Sequence, residues 1–240
     1  MREVNSDEKE VSEVSDGIQS QVSMLHIPRG EIELRDDRTK RVWSSEIKPF
    51  LLAQYPVTME LYCATTNKSS ISSEEAQKPV VNISWNEAIY FCNLLSLKAG
   101  LKECYSIINE GEEVICDWEA DGYRLPSEAE WQYACKAGTT GYRYGELDSI
   151  AWYNENSGGH VHEVGKKVPN AWGLNDMLGN VWEWCWDLYD EKVYGPYRIF
   201  RGGSWAEVER GCGATCRRRS HPSFCIDDLG FRLAQSLPTR

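Results

Sequence analysis

From Gly138 to Trp205 the chain carries its tryptophans among glycines and asparagines, in the run GTTGYRYGELDSIAWYNENSGGHVHEVGKKVPNAWGLNDMLGNVWEWCWDLYDEKVYGPYRIFRGGSW, with no spacing that repeats. An indole ring is too large and apolar to be left to water, yet neither a helical nor a strand period places these rings on one face. This half of the chain must therefore fold by packing aromatic rings between irregular segments, with glycine and asparagine supplying the turns. The ten Trp in 240 residues are roughly four times ordinary usage, so the rings have to be the main content of the core rather than an addition to it.

The rest of the composition sets outer limits. Hydrophobic residues make up 41%, enough for one large domain or two small ones and too many for disorder throughout. The 37 acidic and 26 basic side chains leave a net charge of −11, which repels a phosphate backbone, so no nucleic-acid partner is expected. No apolar run reaches the ~18 residues of a membrane span. Residues 1–25 lack the basic start and apolar stretch of an export signal, which leaves an already processed N-terminus open. Residues 1–20 hold six acids, two bases and no aromatic residue, so 1–23 reads as an acidic flexible tail or linker and the folded domain as 24–240.

The nine cysteines are odd in number and form no CxxC, and the histidines His26, His160, His162 and His221 do not interleave with them at zinc spacing. They read as small buried apolar residues, with one or two disulfides as the alternative.

Two helices stand out. Ser84-Trp85-Asn86-Glu87 has capping-box spacing before AIYFCNLLSLKAG, whose Ile89, Phe91, Cys92, Leu94, Leu95 and Leu97 fit one face and which stops at Gly100. Ser127-Glu128-Ala129-Glu130 repeats the device before WQYACKAG. LHIPRGEIELRDD alternates like a half-exposed strand, and PFLLAQYPVTMELY reads as a strand running into a helix start. Spacing alone thus supports a mixed α/β domain with much irregular structure.

Four strings go further: IPRGEIEL at 27–34, YRLPSEAEWQYACKAG at 123–138, PNAWGLNDMLGNVWEWCWD at 169–187, and FRGGSW at 200–205 closing on LGFRLA at 229–234. On these the chain resembles the formylglycine-generating-enzyme (sulfatase-modifying factor) domain family over residues 24–235. The resemblance implies an α+β fold of the C-type-lectin-like kind, with two helices, short strands and much irregular structure. Arg124 and Arg232 are fixed cations beside aromatic segments and are expected to pair with Glu128, Glu130 or Glu183 while stacking on Trp rings. Asn180, Val181 and Glu183 put an amide, a carbonyl and a carboxylate in one turn, an all-oxygen set that suits a hard cation. In the resembled family this loop contributes to a calcium site, so a structural calcium is one reading; a turn with Asn180 capping its own backbone is the other. No cofactor is required by either.

The resembled enzymes oxidise a cysteine of a bound sulfatase with two cysteines and copper, thiolates being soft ligands for Cu(I). Counted from Ser204, the corresponding positions here are Glu207 and Cys212. One thiol is replaced by a carboxylate, a poor Cu(I) ligand, so no catalytic residue is assigned and a non-enzyme is expected.

Between GGSW and LGFRLA, residues 206–228 (AEVERGCGATCRRRSHPSFCIDD) have no apolar periodicity and equal charges. Their spacing resembles the variable region of proteins diversified by retroelements, in which adenine-templated codons become any residue except Lys, Glu, Gln, Met or Trp. On that pattern the variable, ligand-contacting sites are Ala206, Glu207, Val208, Arg210 and Gly211, then Cys216, Arg218, Arg219, Ser220 and His221, and last Ser223, Phe224, Ile226, Asp227 and Asp228. Fourteen of the fifteen are permitted residues, Glu207 being the exception, where average usage gives about three exceptions. Arg201 and Arg232 are then frame residues. The charged and aromatic side chains at these sites suit contact with a protein or other macromolecule. The resemblance implies a receptor- or adhesin-like binding protein at a bacterial cell surface or outside it, processed or lipid-anchored, with a cytoplasmic location left open as the alternative. A copper-dependent oxidase and an inactive structural module of the same fold are the alternatives.

Overall fold

The computed structural model describes residues 22–68, 71–108 and 113–238. The acidic segment lies outside them apart from Val22 and Ser23. Val22 is buried and the Ser23 carbonyl accepts from the Gln54 N–H at 2.8 Å, so packing begins just before Met24.

The first sheet joins the two ends of the domain, in the order β1–β4–β12–β7: β1 (Met24–Ile27), β4 (Phe50–Ala53), β12 (Ala234–Ser236) and β7 (Tyr123–Arg124), all antiparallel. Leu52 faces Leu25 on one side and Ala234 on the other and is fully buried. The stretch read as one strand from Leu25 is two, because Pro28 lacks the N–H to continue a ladder: after it the chain forms the hairpin β2 (Gly30–Asp36) and β3 (Arg41–Ile47). A second hairpin pairs β5 (Tyr105–Ile108) with β6 (Glu113–Cys116).

Among the described residues three helices exceed two turns, one more than expected. α1 (Met59–Thr66) starts from Thr58, whose hydroxyl accepts from the Leu61 N–H. The sequence gives only its beginning away, since Tyr62, Cys63 and Thr65 are as buried as Leu61 and leave no apolar stripe. α2 (Trp85–Lys98) and α3 (Glu128–Lys136) carry both capping boxes, from Ser84 with Glu87 and from Ser127 with Glu130. On α2 the buried face runs Trp85, Ala88, Ile89, Phe91, Cys92 and Leu95; Leu97 is 57% exposed, rotated off that face. α3 ends on Ala137 in the left-handed region, φ 43°, one residue before the expected glycine. Single helical turns occur at Ser73–Ala76, Leu147–Ile150 and Glu191–Tyr194.

The second sheet, ordered β10–β9–β8–β11, comprises β8 (Trp182–Leu188), β9 (Arg198–Arg201), β10 (Arg217–Ser220) and β11 (Leu229–Phe231), with β11 parallel to β8. The fold is thus α+β. Trp85, Trp131, Trp182 and Trp184 are buried, and the indole N–H groups of Trp85 and Trp184 donate to the carbonyls of Cys185 and Ile83 at 3.0 and 2.9 Å. The irregular half satisfies its backbone through side-chain amides. Asn170 donates to the Ala134 carbonyl at 2.7 Å and accepts from the N–H groups of Trp172 and Leu174. All nine cysteines are free; six are buried, Cys116 and Cys216 half-buried and Cys225 exposed.

Candidate ligand-binding face

Residues 206–228 contribute β10 to the second sheet, and groups from other segments hold their backbone on either side of it. The Tyr142 hydroxyl donates to the Arg210 carbonyl at 2.6 Å and Arg143 Nε to the Cys212 carbonyl at 2.9 Å. Backbone N–H groups of Asn154, Asn82, Asn86 and Trp182 donate to the carbonyls of Glu207 (3.0 Å), Ile226 (3.0 Å), Pro222 (3.2 Å) and Asp228 (2.8 Å). None of these bonds depends on which side chain occupies the acceptor residue.

Below the segment sits a buried cationic lattice. Arg201, fully buried, donates to Glu128 Oε1 at 2.9 Å, to the Ala214 carbonyl at 2.7 Å and to the Gln132 side chain. Arg217 grips the same carboxylate, Nε to Oε1 at 2.5 Å and the other arm to Oε2 at 2.9 Å. Gly203 lets the chain pass here: at φ 81° a Cβ would stand 2.7 Å from Cys212 Sγ, a backbone that glycine alone adopts without strain.

Of the fifteen sites, nine are exposed: Ala206, Val208, Arg210, Arg218, His221, Ser223, Phe224, Ile226 and Asp227. Glu207, Cys216, Arg219 and Ser220 are half-buried. Gly211 and Asp228 are buried and lie beneath the face. Asp228 accepts from the Ser204 hydroxyl at 2.6 Å, and a Cβ on Gly211 would run into the Glu207 carboxylate. The structure therefore places these two with the frame rather than in contact with a ligand.

The cation reading of Asn180, Val181 and Glu183 is not what the geometry supports. Glu183 is fully buried and both its oxygens are taken, by Arg232 Nε at 3.0 Å, by the other Arg232 arm at 2.8 Å and by the Trp131 indole N–H at 2.7 Å. Asn180 spends its amide on His162, accepting from its N–H at 3.0 Å and donating to its carbonyl at 3.1 Å. Val181 is buried between them. A carboxylate already neutralised by a guanidinium has no charge left for calcium, and no cluster of three acidic, His or Cys side chains fit to hold a metal occurs among the described residues. The expected Arg pairings do form: Arg232 with Glu183, and Arg124 with Glu130 through two bonds of 2.8 Å while lying 4.6 Å from the Trp118 ring.

Cys212 is fully buried, and burial pushes its thiol up to about 12; the Cys216 thiol is raised for the same reason. Burial thus favours the protonated thiol at both positions, whereas attack on a substrate needs the thiolate.

The family model of the sulfatase-modifying factor enzyme 1-like domain matches residues 10–237. The chain belongs to this family. Among solved structures, Treponema denticola variable protein 1 is 32% identical with a TM-score of 0.81, covering 90% of this chain and 95% of that one, so the fold is the C-type-lectin-like form of the formylglycine-generating-enzyme type. "Chaperone protein LppX" of Paenibacillus barcinonensis is 29% identical over 227 residues, 79% of this chain and 81% of that protein. "Inactive C-alpha-formylglycine-generating enzyme 2" of Bos taurus is 29% identical over 222 residues, of which this chain spans 63% of the length. Sulfatase-modifying-factor membership thus includes proteins named as inactive, and activity has to be argued from the site.

Sequence reasoning missed the groups that hold the face, Tyr142, Arg143, Asn82 and Asn86, and the tyrosines that flank it, Tyr189, Tyr194 and Tyr197. They come from distant segments, and no spacing links them to 206–228.

Proposed function

We propose that the protein is a non-catalytic ligand-binding member of its family, whose face at 206–228 is a variable surface diversified by a retroelement and presented outside a bacterial cell. The observation that carries this reading is the division of labour along the segment. Frame groups bond its carbonyls, while the side chains of Val208, Arg210, Arg218, His221, Phe224 and Ile226 face outward. A scaffold held by backbone bonds tolerates substitution at the exposed positions, as a diversified site demands, and such sites owe specificity to adaptable side chains on a rigid base. The likeness to Treponema denticola variable protein 1 supports the same reading. Its ligand is a protein or other macromolecule, since the exposed positions form an open face.

Sequencing codons 200–234 across many clones, with the DNA downstream, tests the proposal. The expected result is variation confined to the exposed and half-exposed sites, a near-copy of the segment with adenines at those codons, and a reverse transcriptase gene beside it. Invariant codons with none of these, or one equivalent of Cu(I) bound and lost on Cys212→Ser with turnover of a cysteine peptide, overturns it in favour of the oxidase.

A further inference from the structure

The turn from Ser157 to His162 fastens one end of the binding face. The Ser157 hydroxyl donates to the Trp205 carbonyl at 2.9 Å. The Trp205 N–H donates to the Asn180 carbonyl at 2.9 Å, and the Asn180 side chain in turn grips the His162 backbone. Beside them the Asn154 N–H holds the Glu207 carbonyl at 3.0 Å. The other end of the face, at Pro222 and Ile226, is held by Asn86 and Asn82 instead.

An imidazole closes this turn. His162 Nε2 lies 2.7 Å from the Ser157 carbonyl, which can only accept, so the neutral ring carries its proton on Nε2 and its lone pair on Nδ1. The ring is half-buried. It stacks on Trp152 with centres 3.8 Å apart and planes 13° from parallel, and His160 leans on it at 4.3 Å. A proton added to Nδ1 meets no opposite charge. The charged groups that face His162 are His160, Lys167 and Lys78, all of one sign once protonated. Acids near them are engaged elsewhere: Glu75 with Lys78 at 2.6 Å, Glu163 with Lys166 at 2.8 Å, Asp148 and Glu155 with the Tyr153 hydroxyl at 2.9 and 3.4 Å, and Asp176 with the Gly165 N–H at 2.7 Å. The Trp152 ring could stabilise an imidazolium, but the Lys167 ammonium already lies 4.0 Å from its centre. Burial holds the His162 imidazole below its ordinary 6.5, against the Ser157 bond that raises it. A histidine depressed by folding contributes stability above its unfolded value, and that contribution is lost as pH falls below about 6.5.

We infer that His162 and His160 make the 205–207 end of the binding face acid-labile. Protonation drives His162 off the Trp152 ring and away from Lys167 and His160, and the 157–162 turn opens. Trp205, Ala206 and Glu207 then lose their attachment, while the 222–228 end keeps its own. A ligand held across the whole face is released on acidification. That last step rests on the variable-surface reading; the opening is a property of the turn itself.

Amide hydrogen exchange of the full chain at about pH 5 and about pH 7.5, corrected for the intrinsic pH dependence of exchange, tests it. The N–H groups of Asn154, His162 and Trp205 should lose at least tenfold in protection on acidification, and those of Asn82 and Asn86 should not. His162→Gln, whose amide can still donate to the Ser157 carbonyl but does not titrate, should abolish the difference at Asn154 and Trp205, and His160→Asn should reduce it. The melting temperature of each variant at neutral pH reports whether it is folded. The inference falls if the wild type protects Asn154, His162 and Trp205 equally at both pH values, or if a folded His162→Gln still loosens in acid. It also falls if Asn82 and Asn86 loosen as much, since the weakening would then be general. Invariant codons in the sequencing experiment would remove the variable surface and leave these exchange rates untouched.

Discussion

Replacing Glu183 by Gln separates the two meanings its sequence position can have. The carboxylate accepts from Arg232 through three contacts of 2.8 to 3.2 Å and from the Trp131 indole at 2.7 Å, with both ionic side chains at most 1% exposed. Gln keeps the volume and one acceptor oxygen, so the indole bond can survive, but it strips the charge that offsets a guanidinium with no access to water. Arg232 retains only the carbonyls of Ala53, Gln54 and Asn175. Breaking a buried pair from one side costs about 3–5 kcal/mol, a large part of the ~5–15 kcal/mol that holds a domain together. Urea unfolding followed by tryptophan fluorescence should therefore show Glu183→Gln shifted to a much lower midpoint with an unchanged slope. The double variant Glu183→Leu, Arg232→Met, which removes both charges, should recover part of the loss. Since the carboxylate is committed to arginine, the wild-type midpoint should be the same in calcium and in chelator. A loss under about 1 kcal/mol, or a midpoint that rises with calcium, refutes the reasoning.

Two further outcomes follow from burial. Asp176 is 1% exposed, and desolvation raises its carboxyl from 3.8 to about 6 against the opposing Gly165 N–H bond. A folded value above the unfolded one stabilises the protein fully below pH 3.8, and that contribution disappears as pH rises through about 6. A shift of this size corresponds to about 3 kcal/mol, so Asp176→Asn, which keeps an acceptor for Gly165, should raise the melting temperature at pH 7.5 and flatten its decline between pH 4 and 7; an unchanged pH profile would count against the assignment. At the binding face, Val208, Ile226 and Phe224 are 60%, 42% and 39% exposed, so changing all three to Ser should cost at most about 1 kcal/mol each. Phe231→Ala, at a fully buried position, should cost about 3–5 kcal/mol by itself; equal losses in chemical denaturation would mean that the face is part of the core.

Both capping boxes were legible because a cap is a local contract between residues three apart, and Ser84 with Glu87 and Ser127 with Glu130 keep it. Pairing of Arg124 and Arg232 with nearby acids was legible in kind, since a buried cation needs a carboxylate. Its turn left Glu183 between two readings, a cation ligand or an arginine partner: whether its oxygens face an open site or a guanidinium depends on Arg232, which lies 49 residues away. α1 was half visible for a related reason, because a helix buried on several sides loses the stripe that marks it.

By itself the sequence determined that the second half of the chain would fold as irregular segments, that one thiol of the family's pair is absent at Glu207, and that 206–228 has no apolar period. That this segment stays out of the core was wrong at Cys212 and Ala214, which pack into the core, while Trp182 and Trp184 are buried and Trp152, Trp172, Trp186 and Trp205 only half-buried. Only the tertiary structure decided which residues of 206–228 reach the surface. Gly211 and Asp228 lie under it and Tyr189, Tyr194 and Tyr197 beside it, because exposure is set by what other segments cover. The bonds to its carbonyls, from the backbone N–H groups of Asn82 and Asn86 and the side chains of Tyr142 and Arg143, come from parts of the chain that no local pattern connects to the face they support.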